Sequence, residues 1–185
     1  MSYLNLVFLD ACAILKDIQV TNPEAVISGG FLRDLFFGKQ PKDLDIFISQ
    51  SYDSYGKTIQ VVKTFTMGYS TDYEIDTVQD ALYFTPVDTL NVNIIEVNAF
   101  YERLAERTEQ HDFDFCQVSF DGVGFYGLEK LQKVKDSGTV TLIHCENAKQ
   151  YARSLRRMNK FKAKYPEFTF VDNFKGIFPE VELSD

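Results

Sequence analysis

Basic residues are scarce in this chain relative to acidic ones. Its 185 residues include 19 Lys and Arg against 27 Asp and Glu, which gives a formal net charge of −8 at pH 7. A broad electrostatic footprint on nucleic acid needs clustered basic residues, so this composition argues against one. A local basic groove is still compatible with it.

The chain also lacks the patterns of several common sites and targeting segments. Its three cysteines, Cys12, Cys116 and Cys145, have no metal-ligand spacing, so we expect reduced thiols in a cytoplasmic protein. No serine-hydrolase or zinc pattern occurs. The N-terminal residues show no basic segment followed by a long apolar run. No apolar stretch approaches the length of a membrane span, so we expect no membrane association.

Apolar residues, in contrast, are plentiful. They make up 45% of the chain and aromatic residues 15%, which is enough for a sizeable core. We predict an α/β fold, a small mixed sheet flanked by helices, in which residues 1–145 form a head domain. Residues 146–185 are predicted as a helical C-terminal extension that packs on the head, with one domain overall as the alternative.

The most informative segment runs from residue 26 to residue 48 and reads as strand, glycine turn, short helix, loop and strand. Asp43 and Asp45 lie two positions apart on the second strand, so their side chains point to the same face. Two neighbouring carboxylates repel each other, and a bound Mg²⁺ is the simplest reason for them to coexist. The Gly29-Gly30 turn supplies backbone N–H groups and the positive end of a helix dipole, which suit a phosphate. Together these features indicate phosphoryl or nucleotidyl transfer.

Hydrophobic periodicity predicts the remaining elements. Helices are predicted over residues 4–18, 31–37, 55–65, 99–109, 128–134 and 146–165. Strands are predicted over residues 25–28, 44–48, 81–85, 92–97, 113–120, 123–126 and 139–143, with Asp121-Gly122 as a hairpin turn. Residues 67–80 are predicted as a loop with some strand.

The run Gly29-Gly-Phe-Leu-Arg-Asp, followed by Asp43-Leu-Asp after 12 residues counted from Gly30, resembles a known motif. It is similar to the head domain of tRNA nucleotidyltransferases (CCA-adding) and poly(A) polymerases, members of the polymerase β-type nucleotidyltransferase superfamily. The resemblance implies template-independent transfer of a nucleoside monophosphate from an NTP, such as ATP, to an acceptor. It also implies dependence on Mg²⁺ or Mn²⁺, and an RNA 3′ end as the acceptor expected first.

The resemblance also implies roles for individual residues. Glu96, in Ile95-Glu96-Val97, is similar to a third carboxylate, so the expected catalytic and metal-binding residues are Asp43, Asp45 and Glu96. Asp112 lies in a segment that resembles an Arg-Arg-Asp-Phe motif, with Gln110 and His111 in place of the arginines. An arginine-rich helix follows at residues 153–161. The expected nucleotide-binding residues are Ser28, Gly29, Gly30, Arg33, Asp112, Arg153, Arg156 and Arg157.

Several of these residues have a structural alternative. Arg33 reaches a phosphate or pairs with Asp34. Glu96 is a ligand or a solvent-facing strand residue, with Asp112 and Asp114 as substitutes. The arginines of the C-terminal helix hold triphosphate or acceptor nucleic acid, or form a solvated face. Their spacing predicts that either Arg153 with Arg156 or Arg153 with Arg157 points into the cleft, and not all three equally.

Two other functional hypotheses compete with RNA modification. One is nucleotidylation of a protein or a small molecule, which the acidic net charge favours. The other is a non-catalytic nucleotide-binding or interaction module, which the altered Gln110-His111 position favours. The presence of Asp43, Asp45 and Glu96 together argues for chemistry over binding alone.

Overall fold

A computed structural model describes residues 3–49, 73–78, 81–86, 91–97 and 104–178. Its helices are α1 (Tyr3–Gln19), α2 (Gly30–Phe36), α3 (Leu128–Ser137) and α4 (Ala148–Lys164), with 3₁₀ turns at Leu104–Gln110 and Asp114–Cys116. Its strands are β1 (Val26–Ser28), β2 (Asp43–Ser49), β3 (Tyr73–Val78), β4 (Ala81–Pro86), β5 (Asn91–Val97), β6 (Ser119–Phe120), β7 (Phe125–Tyr126), β8 (Thr139–Leu142) and β9 (Thr169–Asp172). The predicted α/β class with a mixed sheet is confirmed.

The main sheet has the strand order β3-β4-β5-β2-β1-β6-β7 in the described part of the chain. β2 and β5 pair in parallel, and the other neighbours are antiparallel. β8 and β9 form a separate parallel pair that α4 connects. The hairpin predicted at Asp121-Gly122 is confirmed, because β6 and β7 pair across it.

The two faces of β2 have different chemistry. Leu44, Ile46 and Ile48 are fully buried in the main core, as the alternation of the sequence predicts. Asp43 and Asp45 point to the other face. That face also carries a small apolar cluster around Phe47 and Leu104. The fold therefore places the acidic pair on the side of the sheet opposite the main core.

The helices complete the main core by packing against the face of the sheet that carries Leu44, Ile46 and Ile48. α1 buries Ala11, Leu15 and Ile18 at helical spacing. From α4, Tyr151, Met158 and Phe161 join the same cluster as the strands, and Tyr165 follows directly after the helix. The C-terminal extension thus shares one hydrophobic core with the head. No helix among the described residues combines the length and the apolar character needed to span a bilayer.

The structure differs from the predicted elements at two places, and several other predicted segments, the loop over 67–80 among them, lie partly or wholly outside the described residues. The strand predicted over 113–120 was wrong in its first half. There the Asp114 carboxylate accepts hydrogen bonds from the Phe115 N–H at 2.7 Å and the Thr141 N–H at 3.0 Å, and the chain turns instead of extending. The sequence also gave no prediction for β9, which pairs with β8. The helix predicted over 55–65 lies outside the described residues, as does the first half of that predicted over 99–109.

Candidate active site

A cavity of about 530 Å³ opens over the acidic face of β2 and β5. It collects residues from strands that are distant in sequence, from the 3₁₀ turn at Leu104–Gln110 and from α4. Its polar lining residues are Ser28, Asp43, Asp45, Asn93, Gln110, His111, Arg153 and Arg157. Phe47, Ile95 and Leu104 supply the apolar part of the wall.

Asp43 and Asp45 form the acidic centre of this cavity. The parallel register places Asn91 opposite Asp43 and Asn93 opposite Asp45. The Asn93 side-chain amide donates a hydrogen bond of 2.7 Å to Asp45, while its own carbonyl oxygen is buried without a hydrogen-bond partner among the described residues. Burial raises the pKa of Asp45, and the neighbouring Asp43 adds to this, whereas the Asn93 hydrogen bond opposes it. The surroundings therefore disfavour the second negative charge, as expected of a site that gains a cation.

The glycine turn shapes the adjoining wall. Gly29 has φ of +82° and ψ of −129°, a conformation that side-chain-bearing residues rarely adopt. A Cβ at this position would lie 3.2 Å from the His111 ring, so the glycine also makes room for that ring. The Gly29 N–H donates to the Val118 carbonyl at 2.9 Å. The N–H groups that this turn offers a phosphate are consequently those of Gly30 and the first turn of α2.

Ser28 lies at the base of the cavity beside His111. Its hydroxyl donates to the Val118 carbonyl at 3.0 Å, and its oxygen lies 2.9 Å from Nε2 of His111. Because the Ser28 hydroxyl uses its proton in the hydrogen bond to the Val118 carbonyl, Nε2 of His111 is the donor in the contact with Ser28. His111 thereby occupies the position at which the resembling motif carries an arginine.

Arg153 and Arg157 form the basic wall of the cavity. They lie four residues apart on α4 and so share a helix face, which confirms the second of the two predicted pairs. Arg157 Nη1 donates to the Asp112 carboxylate at 2.5 Å. The Ser154 hydroxyl donates to the other oxygen of this carboxylate at 2.8 Å. Asp112 is 5% exposed and thus acts on the cavity through Arg157.

Arg33 and Arg156 do not line the cavity. Arg33 is 5% exposed and pairs with Asp34 at 2.6 Å, the structural alternative that the sequence left open. Its guanidinium lies over the rings of Phe115, Phe161 and Tyr165, with Cζ 4.6 to 5.4 Å from their centroids. A substrate phosphate cannot reach a guanidinium enclosed in this way, so the nucleotide contact expected of Arg33 is replaced by a role in the core. Arg156 is exposed and is not among the residues that line the cavity.

Glu96 pairs along the sheet with Ile48 and not with either aspartate. The position beside Asp45 belongs to Asn93. The side chain of Glu96 lies outside the described residues, so its role as third carboxylate stays a prediction. Within the described ranges, no three His, Cys, Asp or Glu side chains are grouped so that they could hold a metal ion.

Two carboxylates nevertheless fit Mg²⁺ or Mn²⁺. Magnesium is commonly held by one or two protein carboxylates, with water and substrate phosphates completing its shell. Asp43 and Asp45 supply such a pair in a half-buried setting, where burial and the neighbouring Asp43 raise the pKa of Asp45. The chemistry of the donor set therefore suits a hard divalent cation.

Sequence reasoning missed Asn93 and the apolar wall. Asn93 is chemically unremarkable on its own strand, and its importance depends on the register between β2 and β5, which no local pattern sets. His111 was considered only as a replacement for an arginine. Its contact with Ser28 spans 83 positions of sequence.

Solved structures with a similar fold are CCA-adding and tRNA-processing enzymes. A CCA-adding enzyme in apo form matches with a TM-score of 0.64 at 14% identity, covering 92% of this chain and 41% of that one. The Thermotoga maritima CCA-adding enzyme complexed with tRNA matches with a TM-score of 0.62 at 16% identity, covering 95% and 41%. A tRNA-processing enzyme in apo form gives 0.60 at 12%, covering 94% and 45%. At such identities the likeness shows the nucleotidyltransferase-like fold, and the chain spans less than half the length of these proteins.

Comparison by sequence gives a different family. A family model described as "Gabija anti-defense 2 family protein" matches residues 2–131, which include the glycine turn, both aspartates and Asp112. No curated protein matches the chain.

Proposed function

The chain belongs to the Gabija anti-defense 2 family, and we propose that it is a metal-dependent nucleotidyltransferase. It moves a nucleoside monophosphate from an NTP to an acceptor hydroxyl and releases pyrophosphate. The acceptor proposed first is an RNA 3′ end. The observation that carries the proposal is that Asp43, Asp45, Arg153 and Arg157 line one cavity.

The proposed divalent metal, Mg²⁺ or Mn²⁺, is held by Asp43 and Asp45. When bound, such an ion neutralises triphosphate charge and lowers the pKa of the attacking hydroxyl. Asn93 holds the Asp45 carboxylate in place through the hydrogen bond of 2.7 Å. Glu96 is proposed from the sequence as a further ligand and as the base that takes the hydroxyl proton.

The triphosphate needs positive charge from the protein as well. Arg157 is fixed by Asp112 and presents the remainder of its half-exposed guanidinium to the cavity. Arg153 lies one helical turn earlier and is exposed. Charge-assisted hydrogen bonds from guanidinium groups to phosphate oxygens are among the strong interactions available to a protein. We therefore assign the phosphates to the side of the cavity that α4 forms.

The reaction balances with these groups alone. The acceptor oxygen forms a bond to the α-phosphorus, and the bond from that phosphorus to the bridging oxygen of the β-phosphate breaks. Pyrophosphate leaves with the bonding electrons, and the hydroxyl proton passes to the base or to water. Arg157, which Asp112 holds in place, and Arg153 stabilise the charge that develops on the leaving group.

A second acceptor class is favoured by the family description. The family is described by its action against the Gabija defence, and we propose a protein of that defence as the second acceptor. The same site chemistry serves both acceptors, because each presents a hydroxyl to the α-phosphate. The labelling experiment described next distinguishes an RNA acceptor from a protein acceptor.

The proposal is tested by incubating the protein with each α-labelled NTP, Mg²⁺, and either cellular RNA or cellular protein. We expect label in one acceptor fraction, and we expect its loss in Asp43→Asn and in Asp45→Asn. Glu24→Gln, an exposed carboxylate outside the cavity, is the matched control and should retain transfer. Transfer that survives in both aspartate variants would refute the assignment.

A further inference from the structure

Helix α4 concentrates positive charge in an otherwise acidic chain. Its 17 residues include seven of the 19 basic side chains of the protein and no acidic one. Two of the seven are committed to internal ion pairs, Arg157 with Asp112 and Lys164 with Asp34. The other five basic side chains of α4 take no part in these two ion pairs.

Four of the other basic residues form one line on the solvent side of α4, which we call the α4 stripe: Lys149, Arg153, Arg156 and Lys160. Their spacings of four, three and four residues place them on one helix face. All four are exposed, and none makes an ion pair or hydrogen bond with the described residues. From Lys149 to Lys160, 11 steps along the helix, the stripe extends for about 16 Å.

The stripe leads to the catalytic cavity through a second cavity. This second cavity has a volume of about 350 Å³ and shares Gln110 and Arg153 with the first. Lys149 also lines it, with Asn147 and Gln150 at the start of α4. Asn147 and Gln150 each use the side-chain carbonyl to accept a backbone N–H, which leaves their NH₂ groups as donors.

We propose that the α4 stripe and the second cavity bind the single-stranded end of an RNA acceptor. The phosphates lie along the stripe, and the terminal nucleotides pass the amide donors of the second cavity to reach the catalytic cavity at Arg153. This inference rests on the proposed nucleotidyl transfer to RNA and assigns the surface that holds the acceptor. It places the acceptor on the accessible side of α4, while Arg157 on its inner side serves the triphosphate.

An RNA strand fits these observations better than an acidic protein does. A row of unpaired cations on a straight helix suits a polyanion with a regular charge repeat. The second cavity adds polar donors of the kind that read the edges of unstacked bases. The path also ends at the carboxylates where a 3′ hydroxyl is required, so one molecule accounts for the stripe, the amides and the chemistry.

The test compares two variants with equal changes in net charge. The stripe variant carries Lys149→Gln, Arg156→Gln and Lys160→Gln, and it leaves Arg153 in place because that residue lines the catalytic cavity. The control carries Lys16→Gln, Lys133→Gln and Lys175→Gln, three exposed lysines outside both cavities. Binding of a short fluorescent single-stranded RNA is measured by anisotropy over a series of salt concentrations.

We expect the stripe variant to bind RNA at least about tenfold more weakly, with the slope of log affinity against log salt reduced by about 2 for three lost phosphate contacts. The control should match the wild type. Equal RNA affinity in the stripe variant and the wild type would overturn the proposal. Displacement of the RNA by a polyglutamate peptide as readily as by unlabelled RNA would overturn it in favour of an acidic protein partner.

A parallel measurement separates this inference from the proposed function. The melting temperature is recorded with Mg²⁺ and each NTP, for the wild type and the stripe variant. An equal NTP-dependent rise in both, with RNA binding lost only in the stripe variant, supports the inference. A wild type that responds to NTP but does not bind RNA overturns the inference alone, and a wild type with no response to any NTP overturns the proposed function.

Discussion

At the scale of the residue, Asp45 is the group whose surroundings most oppose its charge. Its burial and the neighbouring Asp43 raise its pKa, so the folded protein holds a proton there more tightly than the unfolded chain does. The stability contribution of this group therefore falls as the pH rises from the ordinary range of Asp to the raised value, and stays low above it. A bound cation would reverse that loss.

This gives the first prediction. In the presence of EDTA, Asp45→Asn should be as stable as the wild type or slightly more stable at pH 7, because the asparagine carries no charge to bury. The advantage should disappear near pH 3, below the ordinary Asp pKa of about 3.9, where the carboxyl is largely protonated in both states. Urea unfolding at the two pH values measures this, and a clear loss of stability at pH 7 would contradict it.

The second prediction concerns the residue that completes the acidic site. From the sequence we expect Glu96→Gln to abolish transfer as Asp45→Asn does. From the structure we expect Asn93→Ala to lower transfer without abolishing it, because Asp45 loses a hydrogen bond of 2.7 Å but keeps its charge. Initial rates of NMP transfer at saturating Mg²⁺ measure both, and full activity of Glu96→Gln would leave Asn93 as the residue that completes the site.

At the scale of the element, α4 is held to the rest of the fold by two buried carboxylates. Asp112 holds its middle through Ser154 and Arg157. Asp34 holds its end, where it accepts hydrogen bonds from Lys164, Tyr165 and Arg33. Burial raises the pKa of Tyr165, and its hydrogen bond to Asp34 adds to this, so the phenol remains a donor. The first contact positions a cavity residue, whereas the second one stabilises the core.

The third prediction tests the positioning role of Asp112. Asp112→Asn should raise the KM for NTP about tenfold, equivalent to about 1.4 kcal/mol, because Arg157 loses the charge that fixes it. Ser154→Ala removes one hydrogen bond to the same carboxylate but leaves Arg157 paired. It should lower the free energy of unfolding by about 1 kcal/mol with little change in KM. Equal KM values in the two variants would contradict a positioning role.

The fourth prediction tests the core role of Arg33. Arg33→Lys keeps the charge but loses the paired hydrogen bonds and the stacking on three rings, so the protein should be destabilised by about 2 to 4 kcal/mol. At a temperature where the variant remains folded, its affinity for Mg²⁺ and NTP should equal that of the wild type. Arg156→Lys, an exposed change on α4, is the control and should leave stability unchanged. A selective loss of NTP affinity in Arg33→Lys would contradict the core role and indicate that Arg33 contacts the nucleotide.

At the scale of the whole molecule, local sequence patterns could predict the helices and strands but not how these elements pair and pack with one another. The alternation of Leu44, Ile46 and Ile48 with two aspartates defines which face of β2 is buried, and the glycines mark the start of α2. The 3₁₀ turn at Asp114–Cys116 was not predicted, because it depends on the Thr141 N–H, which lies 27 positions away.

In the candidate site, too, local patterns predict some residues but not those that depend on contacts distant in sequence. The aspartates, the glycine turn and the inward pair Arg153 and Arg157 follow from spacing along a single strand or helix. Asn93 and the burial of Arg33 depend on contacts across 48 and 132 positions, between elements whose register and packing the sequence does not specify. Side chains that act within one element were therefore predictable, and those that act between elements were not.

The central claim is that this cavity transfers the nucleotidyl group rather than the terminal phosphoryl group. The most direct test uses one NTP labelled either at the α-phosphate or at the γ-phosphate, with Mg²⁺ and the acceptor fraction that accepts label. Our account predicts that the α-label enters the acceptor while the γ-label is released as pyrophosphate, and that Asp43→Asn stops both. Transfer of the γ-label to the acceptor, or no release of pyrophosphate with any NTP and acceptor, would contradict it.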